Sequence, residues 1–249
     1  MGLVIAVTGK GGSGKTLIST LLIRYLVENK KKFVLAIDAD PDANLAESLG
    51  VEYNKTVGDI REELSVNPPP IGIEKKKYLE SKIFEATVET EGFDLIVMGR
   101  PEGPGCYCAI NHMLREIIDL TTNAYEFTVI DAEAGLEHLS RRTTQNANIM
   151  LIVTDQSKKG FHTANTIKKM IKGFEIDVER LYLIINKYSD NLKNTINKSI
   201  KEIGIEVLGR IPLDEEVERF DSEGIPLIRL PESSIAYKES NNIFKRLFD

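Results

Sequence analysis

The chain has 249 residues, 42% hydrophobic and 28% charged, with a formal net charge of −6 at pH 7. The length suits a single large α/β domain over residues 1–249 with a sizeable buried core. The acidic balance argues against a nonspecific nucleic-acid surface, and no apolar run approaches the roughly 20 residues that span a bilayer. Two cysteines, Cys106 and Cys108, are too few and too close for a disulfide framework. The sequence enters its first apolar run without a leader, so the expectation is a cytoplasmic protein with neither a nucleic-acid nor a membrane partner.

Residues 3–7 are an apolar run that reads as a buried strand. They feed Gly9-Lys10-Gly11-Gly12-Ser13-Gly14-Lys15-Thr16, after which Leu17, Ile18, Leu21, Leu22, Tyr25 and Leu26 recur at helical spacing. A strand that feeds a G-x-x-x-x-G-K-T turn opening a helix is a phosphate loop in its required context. The glycines let backbone N–H groups close around phosphate oxygens, and the helix N-terminus favours the negative charge. Lys15 reaches the β- and γ-phosphates and Thr16 ligates Mg²⁺. The chain is expected to bind a nucleoside triphosphate. Lys10 is surplus to an ordinary phosphate loop.

Residues 33–37 form the second apolar run, followed by Asp38-Ala39-Asp40-Pro41-Asp42-Ala43-Asn44. Carboxylates at the carboxyl end of a strand beside the phosphate loop face the γ-phosphate and Mg²⁺. Residues 50–74, with Pro68-Pro69-Pro70, lack a period and read as an irregular excursion, and 75–90 read as a helix. Residues 93–97 form the third run. After it comes Gly99-Arg100-Pro101-Glu102-Gly103-Pro104-Gly105-Cys106-Tyr107-Cys108, leading into a helical pattern over 109–121 that carries Asn111, His112 and Arg115. Thiols two apart are poor disulfide partners and good metal ligands. One pair supplies two sulfurs where a closed thiolate site generally wants four, and a two-fold axis through the loop would supply them. The alternative is two small buried side chains with no metal. His112 is either a further ligand or structural.

Residues 127–130 form the fourth run and end in Asp131-Ala132-Glu133-Ala134-Gly135. An acid there is the Walker B arrangement holding Mg²⁺ through water, the alternative for Asp131 being a helix cap. Runs at 149–153, 181–185 and 207–211 follow, with helical patterns over 161–174, 192–203 and 233–248 between and after them. The sixth run ends in Asn186-Lys187, whose asparagine amide both donates and accepts. Near-continuous apolar runs alternating with helices give a doubly wound, mostly parallel sheet of seven to eight strands with helices on both faces. The ligand is expected at the carboxyl ends of the strands.

The pattern Lys10-Gly11-Gly12-Ser13-Gly14-Lys15-Thr16 resembles the deviant Walker A ATPases, which include nitrogenase iron protein, the Min and Par positioning ATPases and metallocentre maturation ATPases. The resemblance implies a homodimer in which Lys10 contacts the partner's phosphates. It gives Asp40 the role of positioning the attacking water and Asp38 an outer-shell place at magnesium. Asp42 is then solvated loop charge, and Asn44 stands where the iron protein has an acid. Asp131 to Gly135 resembles switch II. Asn186 resembles the family's adenine-reading residue, and Pro212-Leu213-Asp214 its loop over the base. Guanine readers use Asn-Lys-x-Asp, whereas Asp190 here comes one place late. Lys10, Lys15 and Asp40 are the catalytic set that follows.

Gly105-Cys106-Tyr107-Cys108, together with Ala134-Gly135-Leu136-Glu137-His138-Leu139-Ser140-Arg141, resembles the carbon monoxide dehydrogenase maturation ATPases (CooC type). That likeness implies ATP-dependent insertion of nickel into a client's nickel–iron–sulfur cluster, in carbon monoxide dehydrogenase or, by a sister group, acetyl-CoA synthase. Cys106 and Cys108 are then the Ni²⁺ or Zn²⁺ ligands at the dimer interface, and His138 couples nucleotide state to the dimer. His162 has no argued role. Two other expectations compete. An electron-transfer ATPase resembling nitrogenase iron protein would separate its cysteines around switch II. A positioning ATPase would have no need of the pair.

Overall fold

The computed structural model describes residues 2–30, 32–67, 69–99, 117, 124–132, 147–173 and 178–249. Its strands are β1 (Leu3–Gly9), β2 (Val34–Asp38), β3 (Val88–Glu89), β4 (Phe93–Val97), β5 (Phe127–Asp131), β6 (Ala147–Thr154), β7 (Val178–Tyr188) and β8 (Glu206–Pro212). They form an eight-stranded sheet in the order β3-β4-β2-β5-β1-β6-β7-β8. Every pairing is parallel except β3 with β4. The seven runs legible in the sequence are the seven parallel strands. In β1, β2, β4, β5 and β6 the side chains are buried on both faces, which is why those runs are continuously apolar and not alternating, whereas β7 and the edge strand β8 are only partly buried.

Helices cover both faces: α1 (Lys15–Tyr25, extended by a π turn at Leu26–Lys30), α2 (Asn44–Leu49), α3 (Val57–Val66), α4 (Lys75–Ala86), α5 (Lys158–Gly173), α6 (Lys193–Ile203), α7 (Glu215–Glu223) and α8 (Ile235–Phe248). Successive strand residues supply opposite layers. On β1, Ile5 and Val7 pack with α1, α2 and α8. Val4 instead packs with α3 and α4, and Ala6 with α5 and α6.

Two expectations are corrected. The stretch 50–74 is not irregular throughout, because it contains α3. That helix is started by a capping box in which the Thr56 hydroxyl accepts from Asp59 N–H and the Asp59 carboxylate accepts from Thr56 N–H. Its buried face is only Val57, Gly58 and Ile60, too few for a visible apolar period. The helix expected over 75–90 ends at Ala86, and Val88–Glu89 turns back as the antiparallel edge strand, Val88 opposite Leu95. Helices α2 and α7 were not legible either. The helix expected over 109–121 lies outside the described residues apart from Ile117, which is buried in the α3–α4 layer.

Candidate nucleotide-binding site

The carboxyl ends of β1, β2, β5 and β6 converge on one edge, as parallel pairing requires. β1 runs directly into the phosphate loop. Gly9 has φ 147°, and a Cβ there would lie 2.0 Å from the Val153 carbonyl oxygen, so only glycine lets β1 pass that close to β6. Within the loop, Ser13 N–H donates to the Lys10 carbonyl (3.2 Å) and Ser13 Oγ–H to the Val153 carbonyl (3.1 Å). From the β7 side, Asn186 Nδ2 donates to the Ser13 carbonyl (2.9 Å) and Lys187 Nζ to the Gly12 carbonyl (3.3 Å). Gly14 caps α1 in the left-handed region, φ 91°, with no side-chain cap. The first N–H groups of α1 therefore keep their capacity for an anion. A Cβ on Gly14 would meet Asn186 Nδ2 at 2.2 Å.

A cavity of about 520 Å³ opens over this loop. Gly11, Gly12, Gly14, Lys15 and Thr16 form its floor, and Asp40, just after β2, lines it as well. Asn186, Pro212, Leu213 and Asp214 line the opposite end. The sequence therefore names residues from four separate segments that the fold brings to one cleft. Gly9 and Ser13 lie behind the loop and shape it.

Behind Thr16 sits Asp131, the acid expected in the Walker B place. Thr16 Oγ1–H donates to Asp131 Oδ2 (2.8 Å) and Ser19 Oγ–H to Asp131 Oδ1 (2.9 Å). Burial raises the Asp131 pKa to about 6, against the two hydroxyl bonds and the Lys15 charge, which lower it. Asp38 is opposite Asp131 in the strand register. Burial first, then the Asp131 charge, raise its pKa to about 7, although backbone N–H groups hold it down. Those groups are Asp40 N–H on Oδ1 (3.2 Å) and Leu45 N–H (2.8 Å) and Ala46 N–H (3.2 Å) on Oδ2. Asp38 thus caps α2 from another element. Asp40 Oδ1 accepts from Asp42 N–H (2.9 Å), which fixes its carboxylate at the cleft wall. The set of a hydroxyl and hard carboxylate oxygens fits Mg²⁺, and Thr16, Asp131 and Asp38 are the residues that would hold it, directly or through water.

Lys10 points elsewhere. Its Nζ is 2.7 Å from Asp155 Oδ2 of the same chain. Burial pushes the Asp155 pKa up, but bonds from Lys10 and Ser157 outweigh it and leave the carboxyl below its usual range. Asp190, the displaced acid of the guanine-type pattern, accepts from Tyr188 Oη–H (3.0 Å). Ser19 and Asp155 were missed in the sequence. Ser19 lies one turn after Thr16 on α1, a spacing that was available; Asp155 had no local signal. Cys106, Cys108, Glu133, Gly135, His112 and His138 lie outside the described residues. Among the described residues no three or more His, Cys, Asp or Glu side chains gather into a metal site of their own, apart from the hydroxyl-and-carboxylate set at Thr16.

Residues 4–227 match the model of the CobQ/CobB/MinD/ParA nucleotide binding domain. The chain belongs to that family. It is 49% identical to the ATP-binding protein MJ0685 of Methanocaldococcus jannaschii, over 99% of each chain. It is 29% identical to the carbon monoxide dehydrogenase accessory protein CooC of Rhodospirillum rubrum, over 89% of this chain and 88% of that one. The ParA family ATPase of Chlorobium tepidum TLS shares the fold, with a TM-score of 0.76 at 22% identity over 97% of this chain and 98% of that one. Family membership agrees with a phosphate-binding loop at residues 9–16 and a nucleotide cleft above it.

Proposed function

We propose that the chain is a Mg²⁺-dependent ATPase whose nucleotide cycle pairs two copies and delivers nickel to a client enzyme, carbon monoxide dehydrogenase or acetyl-CoA synthase. The observation that carries the ATPase reading is the assembly at one cleft of the phosphate loop, the Thr16–Asp131 pair and Asp40. Lys15 and the α1 N-terminus neutralise phosphate charge, and Asp40 orients the attacking water, so positioning and electrostatics supply the catalysis. Magnesium, when bound, neutralises charge between the β- and γ-phosphates. Asn186 has spent one N–H on Ser13, and its Oδ1 can accept from adenine N6. Lys10 leaves Asp155 to reach the partner copy's phosphate.

Delivery of nickel, the cargo, rests on Cys106-Tyr107-Cys108 and on similarity to the accessory protein. The test is activation of nickel-free carbon monoxide dehydrogenase by this chain with ATP and Ni²⁺. Activation is expected with the parent chain and not with Lys15→Ala or with the Cys106→Ser, Cys108→Ser double variant. Salt-sensitive DNA binding without activation would replace this reading by a positioning ATPase of the MinD/ParA kind, whose cycle shares the same cleft and needs no cysteine pair.

A further inference from the structure

Asn186 and Lys187 are consecutive residues near the end of β7, and both reach the phosphate loop. Asn186 Nδ2 donates to the Ser13 carbonyl (2.9 Å) and Lys187 Nζ to the Gly12 carbonyl (3.3 Å), so neighbouring side chains hold neighbouring carbonyls. A regular strand does not allow this, because successive side chains leave on opposite faces. The backbone of β7 departs from regularity at this point. Lys187 has φ 53°, one of two non-glycine residues with a positive φ among the described residues. The register of β7 against β8 also shifts between Ile185 and Tyr188. Such an irregularity re-aims a side chain, and here it turns Lys187 back onto the loop. For a lysine the left-handed conformation is a local strain that the surrounding structure must hold.

The carbonyl that Lys187 takes belongs to a turn. Ser13 N–H donates to the Lys10 carbonyl (3.2 Å). Gly12, third of those four residues, has φ 75°, as a type II turn requires. A trans peptide points its carbonyl and its N–H in opposite directions. Lys187 draws the Gly12 carbonyl outward, which turns Ser13 N–H onto Lys10. Asn186 draws the Ser13 carbonyl, which turns Gly14 N–H away from β7. Packing does not do this work, since a Cβ on Gly11 or Gly12 would meet nothing within 4 Å. Glycines without neighbours keep their conformational freedom, and the lysine is what restrains them.

We infer that Lys187 is a positioning residue for the phosphates: it does not contact them but, through the Gly12 carbonyl, holds the Lys10–Ser13 turn in shape before the nucleotide arrives. The inference rests on the nucleotide-binding reading of the cleft. It gives Lys187 an effect on every ligand that carries the phosphate chain, whatever nucleoside is attached.

The test measures binding of ATP and of inorganic tripolyphosphate to the full chain by calorimetry, at low and at high salt, beside thermal melts. Lys187→Gly removes the ammonium and relieves the backbone, so it should melt no lower than the parent. It should weaken ATP and tripolyphosphate by the same factor, about fivefold, the scale of one exposed hydrogen bond. Lys187→Met, which keeps the reach of the side chain without the donor, should match it, and Lys187→Arg should bind as the parent does. The loss should persist at high salt, because it acts through the shape of the loop. A loss that vanishes at high salt would mean that Lys187 acts as a charge on the phosphates, and would overturn the inference. Parental tripolyphosphate affinity in Lys187→Gly would overturn it too, as would a loss confined to ATP, which places Lys187 at the nucleoside. A lower melting temperature with equal losses would show that the lysine holds the fold and not the loop. A parent chain that binds neither ligand would instead sink the nucleotide reading of the cleft.

Discussion

Lys10 lies in an ion pair with Asp155 of its own chain, so any contact of Lys10 with a second copy begins by breaking that pair. Both side chains are partly exposed, 25% and 20%, and pairs of this kind are worth about 0–1 kcal/mol. The barrier is thus small enough for a phosphate charge to overcome. Lys10→Ala should spare ATP binding by the single chain and abolish ATP-dependent pairing. Asp155→Asn should strengthen pairing several-fold, because the lysine has lost its resting site. Sedimentation with a nonhydrolysable ATP analogue measures both, and weaker pairing by Asp155→Asn would place Asp155 in the interface instead. The neighbouring residues divide binding from chemistry. Lys15→Ala should abolish nucleotide binding. Asp40→Ala should bind and turn over about 10²-fold more slowly, the usual scale for a group acting on the attacking nucleophile; near-parental turnover would remove Asp40 from the mechanism. The phosphate loop was legible because its residues are contiguous and act through their own backbone. Asp155 was not, since it meets Lys10 across 145 positions of sequence, and nothing local to either residue announces the partner.

Helix α2 shows the same contrast one level up. It has six residues, starts from Ala43 in the left-handed region without a side-chain cap, and is too short to show a period. Its cap comes from Asp38 on β2, through Leu45 and Ala46 N–H, so the helix exists because of a tertiary contact that the sequence does not display. Helix α3, in contrast, carried a local signal in Thr56 and Asp59, and its weak apolar face hid it. The central parallel strands β1, β2, β4, β5 and β6 were legible from burial on both faces alone. The Asp38 cap has a consequence for pH. Burial and the Asp131 charge raise its pKa to about 7 from the ordinary 3.8, and Asp131 is raised to about 6. A carboxyl whose folded pKa is raised binds its proton more tightly folded than unfolded. The stability this gives is fully present below pH 3.8 and is lost as pH rises through the folded values. In magnesium- and nucleotide-free protein, stability should therefore decline between about pH 4 and pH 7, at about 1.4 kcal/mol per tenfold difference in proton affinity. Asp38→Asn, which removes one of the two charges, should flatten that decline. Thermal melts of both proteins across this range measure it, and parallel curves would show that Asp38 bears no such charge strain.

At the scale of the whole molecule, the question is how a nucleotide cleft can act on a cysteine pair. The sheet order supplies a path. β4 lies beside β2 and runs parallel to it, so the segment leaving β4 toward Cys106 and Cys108 starts on the phosphate-loop edge. Its first residue, Met98, donates its N–H to the Asp38 carbonyl (2.9 Å) and accepts from Gly58 N–H (2.9 Å). The end of β2, two residues before Asp40, is thus hydrogen-bonded to the root of the cysteine segment. If two copies pair through that segment, four thiolates meet on the two-fold axis, enough for a closed site. One metal per two chains is the expected stoichiometry, with pairing promoted by metal and by ATP, each strengthening the other because coupling between two ligands is reciprocal. A single-chain geometry is the rival: Ni²⁺ accepts a square-planar set, which two thiolates and two backbone amides of a Cys-x-Cys segment can supply. That would give one metal per chain with no effect on pairing. Metal content per chain after nickel or zinc exposure, measured together with sedimentation in the presence and absence of a nonhydrolysable ATP analogue, separates the two. Changing both cysteines to serine should remove the tightly held metal and leave ATP binding intact. If that variant keeps its metal, the site lies elsewhere, and delivery of nickel by this chain loses the residues on which it was argued.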